Sequence, residues 1–190
     1  MEMKKTDRRV KYTRMVIKDS LISLMKHKPI TKITIKAICE KADVNRSTFY
    51  AHFNDQFDLL QQIQNEILQE IGAMLTNFNY KENKSEAFQM MEKIFDYIID
   101  NSAVCEVLLG EQGDIAFQKA VIMLAQHQQA LNWKSEKHLE AATAEYLYLY
   151  TVNGSLGIVQ SWLKNGMQES SKEMADLILQ LTNKGLAAFI

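Results

Sequence analysis

The sequence predicts an all-α protein, with an N-terminal three-helix helix-turn-helix head and a larger helical body. Three observations predict it. Seven Gly and one Pro in 190 residues are too few for a β-sandwich or barrel, which needs a turn signal every ~8–12 residues. Apolar residues recur at helical spacing along nearly the whole chain. The apolar share of 47% against 24% charged is enough to build a core and excludes disorder or a collagen-like repeat.

Val10, Ile17, Leu21 and Leu24 share one stripe and predict a first helix from about Asp7 to His27, stopped before Pro29. Thr34 is a good N-cap for a short helix through Ile35, Ile38 and Cys39 to about Lys41. Ala42-Asp43-Val44 makes a tight corner, and Asn45 caps another short helix, Arg46 to Phe53. Asn54 and Asp55 open a long helix with Phe57, Leu60, Ile63, Ile67, Ile71, Met74 and Phe78 on one face. At about 20 residues and ~30 Å it is long enough to join two domains. Asn79 to Lys84 is a polar break.

Beyond the break, Phe88, Met91, Phe95 and Ile98 mark a helix ending near Asn101. A short piece, Ala103 to Leu109, precedes a Gly110–Gly113 loop, and Ile115 to about Leu131 is helical again. Ser135 starts a long helix continuing to Lys164, closed by Asn165-Gly166 as a C-cap. Ser170 and Glu173 form a capping box for a last helix carrying Met174, Leu177, Ile178 and Leu181 to the C-terminus. The expected domains are residues 1–54, a connecting helix 55–78, and 79–190.

The overall charge of −1 hides an asymmetry. Residues 1–53 hold thirteen basic against five acidic groups, a net +8, so the rest of the chain carries −9. A basic head attracts a polyanion such as nucleic acid, although the same charge also suits a solvated lysine-rich face. Residues 33–53 sharpen the choice. Two short helices about a three-residue corner form a helix-turn-helix if Ile35, Ile38, Val44, Phe49 and Phe53 pack together. The second helix then exposes Asn45, Arg46, Ser47, Thr48, Tyr50 and His52, side chains suited to phosphates and base edges in a major groove. Arg46 suits a phosphate or a bidentate contact to guanine. The alternative is a pair of surface helices facing water.

These residues also carry a resemblance. Thr34-Ile-Lys-Ala-Ile38, Ala42 through Phe53 with its Ser-Thr-Phe-Tyr-Ala-His-Phe string, and Asp58-Leu-Leu60 resemble the DNA-binding head of the tetracycline-repressor (TetR) family over roughly residues 8–62. The stretches Asn153 to Val159 and Trp162 to Met167 resemble the regulatory domain of one subgroup. The resemblance implies that Thr34 and Lys36 meet phosphates, that Arg46, Ser47, Thr48 and Tyr50 meet bases or phosphates, and that His52 lies near the DNA backbone. Two positions depart from the pattern. Asp43 stands where the family usually has Gly, and Asp tolerates the left-handed conformation better than most residues. Gln56 stands where a Lys commonly holds a phosphate. The Lys4–Arg14 tail offers a substitute contact to the backbone or minor groove, or is simply a frayed, solvated segment.

The resemblance further implies a ligand-binding and dimerisation body, with the helices at about 135–164 and 170–190 pairing with their mates as a homodimer. Gly154 and Gly157, with Ser155 and Ser161, thin one side of the first of these helices. Each helical Gly costs about 1 kcal/mol relative to Ala, which suggests a packing reason. Tyr146, Tyr148, Tyr150 and Trp162 add contact area for a partner, or fill the core of one subunit. Two-fold symmetry predicts a palindromic operator of double-stranded DNA, with half-sites about 34–36 Å apart or a multiple of it. Met90, Met91, Phe95, Tyr97, Ile98, Cys105, Met123 and Trp133 are candidates for an apolar effector cavity, with core packing the commoner role for each. The effector is an unidentified small molecule, and an acidic body favours a cationic or neutral one.

Other classes fit poorly. Cys39 and Cys105 form no CxxC pair, His27, His52, His127 and His138 share no metal-ligand spacing, and no nucleotide-binding or hydrolase motif occurs. No enzyme activity, cofactor or metal is therefore expected. The uncharged stretch Tyr146–Leu163 approaches a membrane span in length but carries Thr151, Asn153, Gln160 and Ser161, which suits a helix buried by protein. The N-terminus does not read as a signal peptide, and a cytoplasmic location is expected. The expected function is a DNA-binding regulator, most often a repressor released by a small molecule. The alternative is a co-regulator of this fold acting through a protein partner, with the loss of Lys at Gln56 as its support.

Overall fold

The computed structural model describes residues 2–76, 84–110, 113–133 and 141–186. Among these residues the chain is all-α. The helices are α1 Glu2–Met25, α2 Ile35–Ala42, α3 Arg46–Tyr50, α4 Gln56–Thr76, α5 Lys84–Asp100, α6 Ser102–Leu109, α7 Ile115–Trp133, α8 Ala141–Lys164 and α9 Ser171–Leu186. Two compact units divide the chain at Met1–Ile67 and Leu68–Ile190, so α4 contributes to both.

In the first unit, α2 packs on α1 and α3 packs on α2. Ile17, Leu21, Ile38, Phe49 and Leu59 are wholly buried at its centre. Fully burying an aliphatic or aromatic side chain of this size contributes about 1.5–3 kcal/mol relative to exposure, so this cluster is what holds so small a unit together. Two polar clasps tie α1 to α4. Arg14 donates to Gln62 Oε1 at 2.9 Å and pairs with Glu66 at 3.7 Å, while Lys18 also pairs with Glu66. A 3-10 turn at Ile30–Lys32, which the sequence did not foreshadow, links α1 to α2 and accounts for the space after Pro29.

Several boundaries and faces differ from expectation. The first helix begins at Glu2 rather than near Asp7, and Val10 is exposed with all of residues 8–12, because these turns run past the helices that cover Ile17 and Leu21. The third helix ends at Tyr50 rather than Phe53. Ala51 and His52 form a turn whose N–H groups still donate to Ser47 O and Phe49 O. Phe57 is exposed because it sits in the first turn of α4, at the edge of the apolar stripe away from Leu59.

In the second unit, α5 packs chiefly on α9, while α8 packs on α6 and α7. Phe95 and Trp162 meet edge-to-face with ring centroids 5.3 Å apart, and the Trp162 indole donates to Glu169 O at 3.1 Å. Trp162 is therefore a core residue of its own subunit, and its indole N–H is satisfied there. The C-terminus of α6 is held from outside: Gln160 Nε2 donates to Leu109 O at 2.7 Å and Gln118 Nε2 donates to Gly110 O at 2.9 Å. Gly113 is required at the following turn, since a Cβ there would lie 2.2 Å from Leu108 O.

The predicted caps form. Gly166 takes φ 79° after α8, with Met167 following at φ 52° and donating back to Trp162 O at 2.9 Å. Ser170 N–H donates to the Glu173 carboxylate at 2.9 Å while Glu173 N–H donates to Ser170 Oγ at 3.3 Å, the reciprocal bonds of a capping box. The Ser170 N–H bond, joined by one from the Ser170 hydroxyl at 2.7 Å, holds the Glu173 carboxyl below the usual range. Phe78, the polar break at 79–83, the Ser135 helix start, the end of the last helix, and the side chains of Lys4, Lys5, Trp133 and Tyr148 lie outside the described residues.

Candidate nucleic-acid interface

The corner between α2 and α3 depends on three local devices. Thr34 Oγ1 accepts from Ala37 N–H at 3.2 Å and so caps α2. Asp43 takes φ 51°, ψ 47°, the left-handed conformation expected of the residue that replaces Gly here. Asn45 then caps α3, its Oδ1 accepting from Thr48 N–H at 2.7 Å. The same oxygen accepts from Ser47 Oγ at 2.6 Å and Thr48 Oγ1 at 2.8 Å. One side chain thus starts the helix and fixes the rotamers of two hydroxyls beside it.

Behind α3, Phe49 and Phe53 are buried with ring centroids 5.7 Å apart. The Arg14 guanidinium lies over the Phe53 ring at 5.1 Å from its centroid. Arg14 is consequently an internal brace of the head rather than part of a free basic tail, whereas Arg8 and Arg9 are exposed. In front, Asn45, Arg46, Ser47 and Tyr50 are exposed, with Tyr50 57% accessible, and Thr48 and His52 are half-buried. Thr34 and Lys36 are exposed at the start of α2, where Lys36 pairs with Glu40 at 3.6 Å. Such an exposed pair contributes only about 0.2–1 kcal/mol, so Glu40 holds Lys36 only weakly.

The turn after α3 is anchored to α4. Asp55 Oδ1 accepts from the N–H groups of Phe57 and Asp58, both at 2.8 Å, as the N-cap of α4. Asp58 accepts from Asn54 N–H at 2.8 Å and from Gln62 Nε2 at 3.0 Å. The Asn54 backbone bond, followed by the Gln62 bond, pulls the Asp58 carboxyl below the usual carboxylate range. Spacing alone does not single out Arg14 or Asp58; the signals available were an Arg one helical stripe from Ile17 and an Asn54/Asp58 pair at i,i+4. Cys39, beneath the corner, has its thiol pushed up by burial, against an opposing pull from Arg46.

The second unit holds a cavity of about 190 Å³ lined from α4, α5, α6, α7, α8 and α9. Met91, Phe95 and Ile98 line it as their spacing suggested. Met90 and Cys105 are core, and Met123 is exposed because it lies on the outer side of α7. Burial drives the Cys105 thiol up to about 12. The outer side of α8 is apolar and open: Tyr146 and Tyr150 are 72% and 75% exposed, and nothing lies within 4 Å of a Cβ placed on Gly154 or Gly157. No helix among the described residues is long and apolar enough to cross a membrane.

A short, doubly braced helix offering a polar flank from a basic unit defines a helix-turn-helix DNA-binding regulator. The sequence profile of the bacterial regulatory proteins, tetR family, matches residues 17–63, and that of a TetR-type transcriptional regulator C-terminal region matches residues 85–184. The chain belongs to the TetR family of transcriptional regulators. It is 32% identical over 59 residues to the HTH-type transcriptional regulator YxbF of Bacillus subtilis, itself uncharacterized, a match spanning 31% of this chain and 16% of that protein's length. Among solved structures, a TetR regulator from Streptococcus agalactiae has 19% identity and TM-score 0.64, covering 96% of this chain and 99% of its own. FadR of Bacillus subtilis, solved with stearoyl-CoA, has 17% identity and TM-score 0.67, covering 90% of this chain and 98% of its own. At these identities the likeness is one of fold.

Proposed function

We propose that this regulator is a repressor that binds a palindromic operator as a homodimer and is switched by a small-molecule effector. In this reading residues 1–54 form the DNA-binding domain, 55–78 the connecting helix and 79–190 the regulatory and dimerisation domain. Thr34 and Lys36 hold phosphates at the start of α2. Asn45, Arg46, Ser47, Thr48 and Tyr50 face the major groove, and His52 lies against the backbone. The α8–α9 face, within about 135–164 and 170–190, pairs with its mate. The protein works in the cytoplasm and has no catalytic role.

The observation that carries the reading is the exposed polar flank of α3, held from behind by buried Phe49 and Phe53. A rigid, pre-ordered helix spends little binding energy on ordering. The decisive experiment is a fluorescence-anisotropy titration against the DNA upstream of the chain's own gene, at several salt concentrations. Tight binding with a steep negative salt slope is expected. Arg46→Ala should weaken it by about 1–3 kcal/mol if Arg46 meets a base, and an unchanged affinity removes it from the interface. A second reading, a co-regulator acting through a protein partner, draws on Gln56 at the start of α4. Undetectable or salt-insensitive DNA binding would favour it.

A further inference from the structure

Among the described residues, the lining of the cavity in the second unit is uncharged. Its wall is hydrocarbon and aromatic, with Ile71, Phe95 and Val121 among the residues that form it, and no Lys, Arg, Asp, Glu or His side chain lines it among the described residues. Among the same residues the polar side chains are the hydroxyls of Thr151, Ser155 and Thr182, on α8 and α9. A carboxylate or phosphate placed inside would lose its water and gain no counter-charge, at a cost of several kcal/mol.

The size is equally restrictive. A dry apolar cavity of about 150 Å³ holds benzene. At about 190 Å³, this one has room for a body of one ring or a compact pair of rings. The hydroxyl side sets the remaining requirement. Thr151 is buried and donates its proton to Leu147 O at 2.8 Å, so towards the cavity it can only accept. Ser155 and Thr182 have free rotors that donate or accept, and neither hydroxyl has a hydrogen-bond partner among the described residues.

We propose that the cavity binds an uncharged one- or two-ring molecule carrying a hydroxyl or N–H that donates to Thr151. Its role as effector rests on the regulator reading above; its binding does not. Calorimetric titration of the full chain, without DNA, against 1-naphthol, naphthalene and 1-naphthoate compares one ring body with a donor, with none and with a charge. One 1-naphthol per chain is expected. Naphthalene binds about fivefold more weakly, the worth of one net hydrogen bond, and 1-naphthoate weaker by more than about tenfold because its charge is unpaired.

Thr151→Val, which keeps the shape of the side chain, should bring 1-naphthol down to the naphthalene affinity. Val121→Phe, which fills the cavity, should abolish binding of both with the helical circular dichroism retained. The proposal is overturned if 1-naphthol does not bind, if 1-naphthoate binds as well or better, or if Thr151→Val leaves the 1-naphthol preference unchanged. Binding of 1-naphthol by a chain that ignores its upstream DNA would sink the regulator reading while leaving the ligand class standing. The reverse result would sink only the ligand class.

Discussion

Asn45 allows the folding role of α3 to be separated from its proposed contact with DNA. Its Oδ1 accepts from Thr48 N–H, Ser47 Oγ and Thr48 Oγ1 at 2.7, 2.6 and 2.8 Å. The helix it starts has only five residues, so the cap satisfies a large share of its free N–H groups. Asn45→Ala should therefore cost about 1 kcal/mol of stability, within the ~0.5–2 range for N-caps, mostly through the Thr48 N–H bond. The two exposed hydroxyls find water instead and contribute less. Urea unfolding should show a lower midpoint with the slope unchanged. Operator affinity should fall about fivefold as the loosened helix is re-ordered on binding, the factor that 1 kcal/mol represents. Asn45→Asp is the complementary change. Asp caps as well as Asn, and a negative charge suits a helix N-terminus, so stability should hold or rise by a few tenths of a kcal/mol. Facing phosphates, however, the new carboxylate meets like charge, worth about 1 kcal/mol at 4 Å in bulk water and about 4 at a protein surface. Anisotropy titrations should show at least tenfold weaker binding and a shallower salt slope. Wild-type affinity in Asn45→Asp would mean that the start of α3 does not face DNA, and the proposed interface would be wrong.

Asp58 ties the turn after α3 to α4, and its carboxyl titrates below the usual carboxylate value because the folded chain donates hydrogen bonds to its ionised form. A depressed folded pKa contributes stability that is present above the unfolded value, near 4, and lost as pH falls through the folded value. The thermal midpoint of the wild type should therefore drop relative to Asp58→Asn below about pH 4; parallel curves would show that the Asn54 bond contributes nothing. Cys105, with its thiol pushed up to about 12 by burial, should resist iodoacetamide at pH 8 in the native chain and react once unfolded. Mass spectrometry after timed alkylation reads this, and rapid native labelling would show that α6 opens readily.

The head was more legible than the body because its signals are local. Thr34 and Asn45 are caps defined by neighbours three residues on, Asp43 fills a left-handed corner, and Phe49 and Phe53 lie four apart on the buried side of a helix and its following turn. The clasp of Arg14 with Phe53, Gln62 and Glu66 was not legible, since it joins residues about forty to fifty positions apart and a basic run near a terminus reads as a tail. The same limit explains Val10 and Phe57. Periodicity gives the direction in which each side chain points but not where the covering helix stops. The cavity was half-visible: Met91, Phe95 and Ile98 recur at helical spacing, yet hydroxyls from α8 and α9 complete it.

Helix α8 shows most clearly what spacing alone can decide. At ~100° per residue, Trp162 lies about 120° round the helix from Tyr150 and about 160° from Tyr146. One core cannot cover all three, so the uncharged run from Tyr146 to Leu163 must either serve two neighbours or leave aromatic surface in water. Trp162 and Leu163 are buried in their own unit, whereas Tyr146 and Tyr150 are open beside two glycines with vacant space in front of them. A helical glycine costs about 1 kcal/mol and gains nothing when it faces solvent. Two of them next to exposed tyrosines are better explained by close approach of another helix. With α5, α6, α7 and α9 already engaged in the second unit, this face supports the proposed pairing with a second copy of the chain.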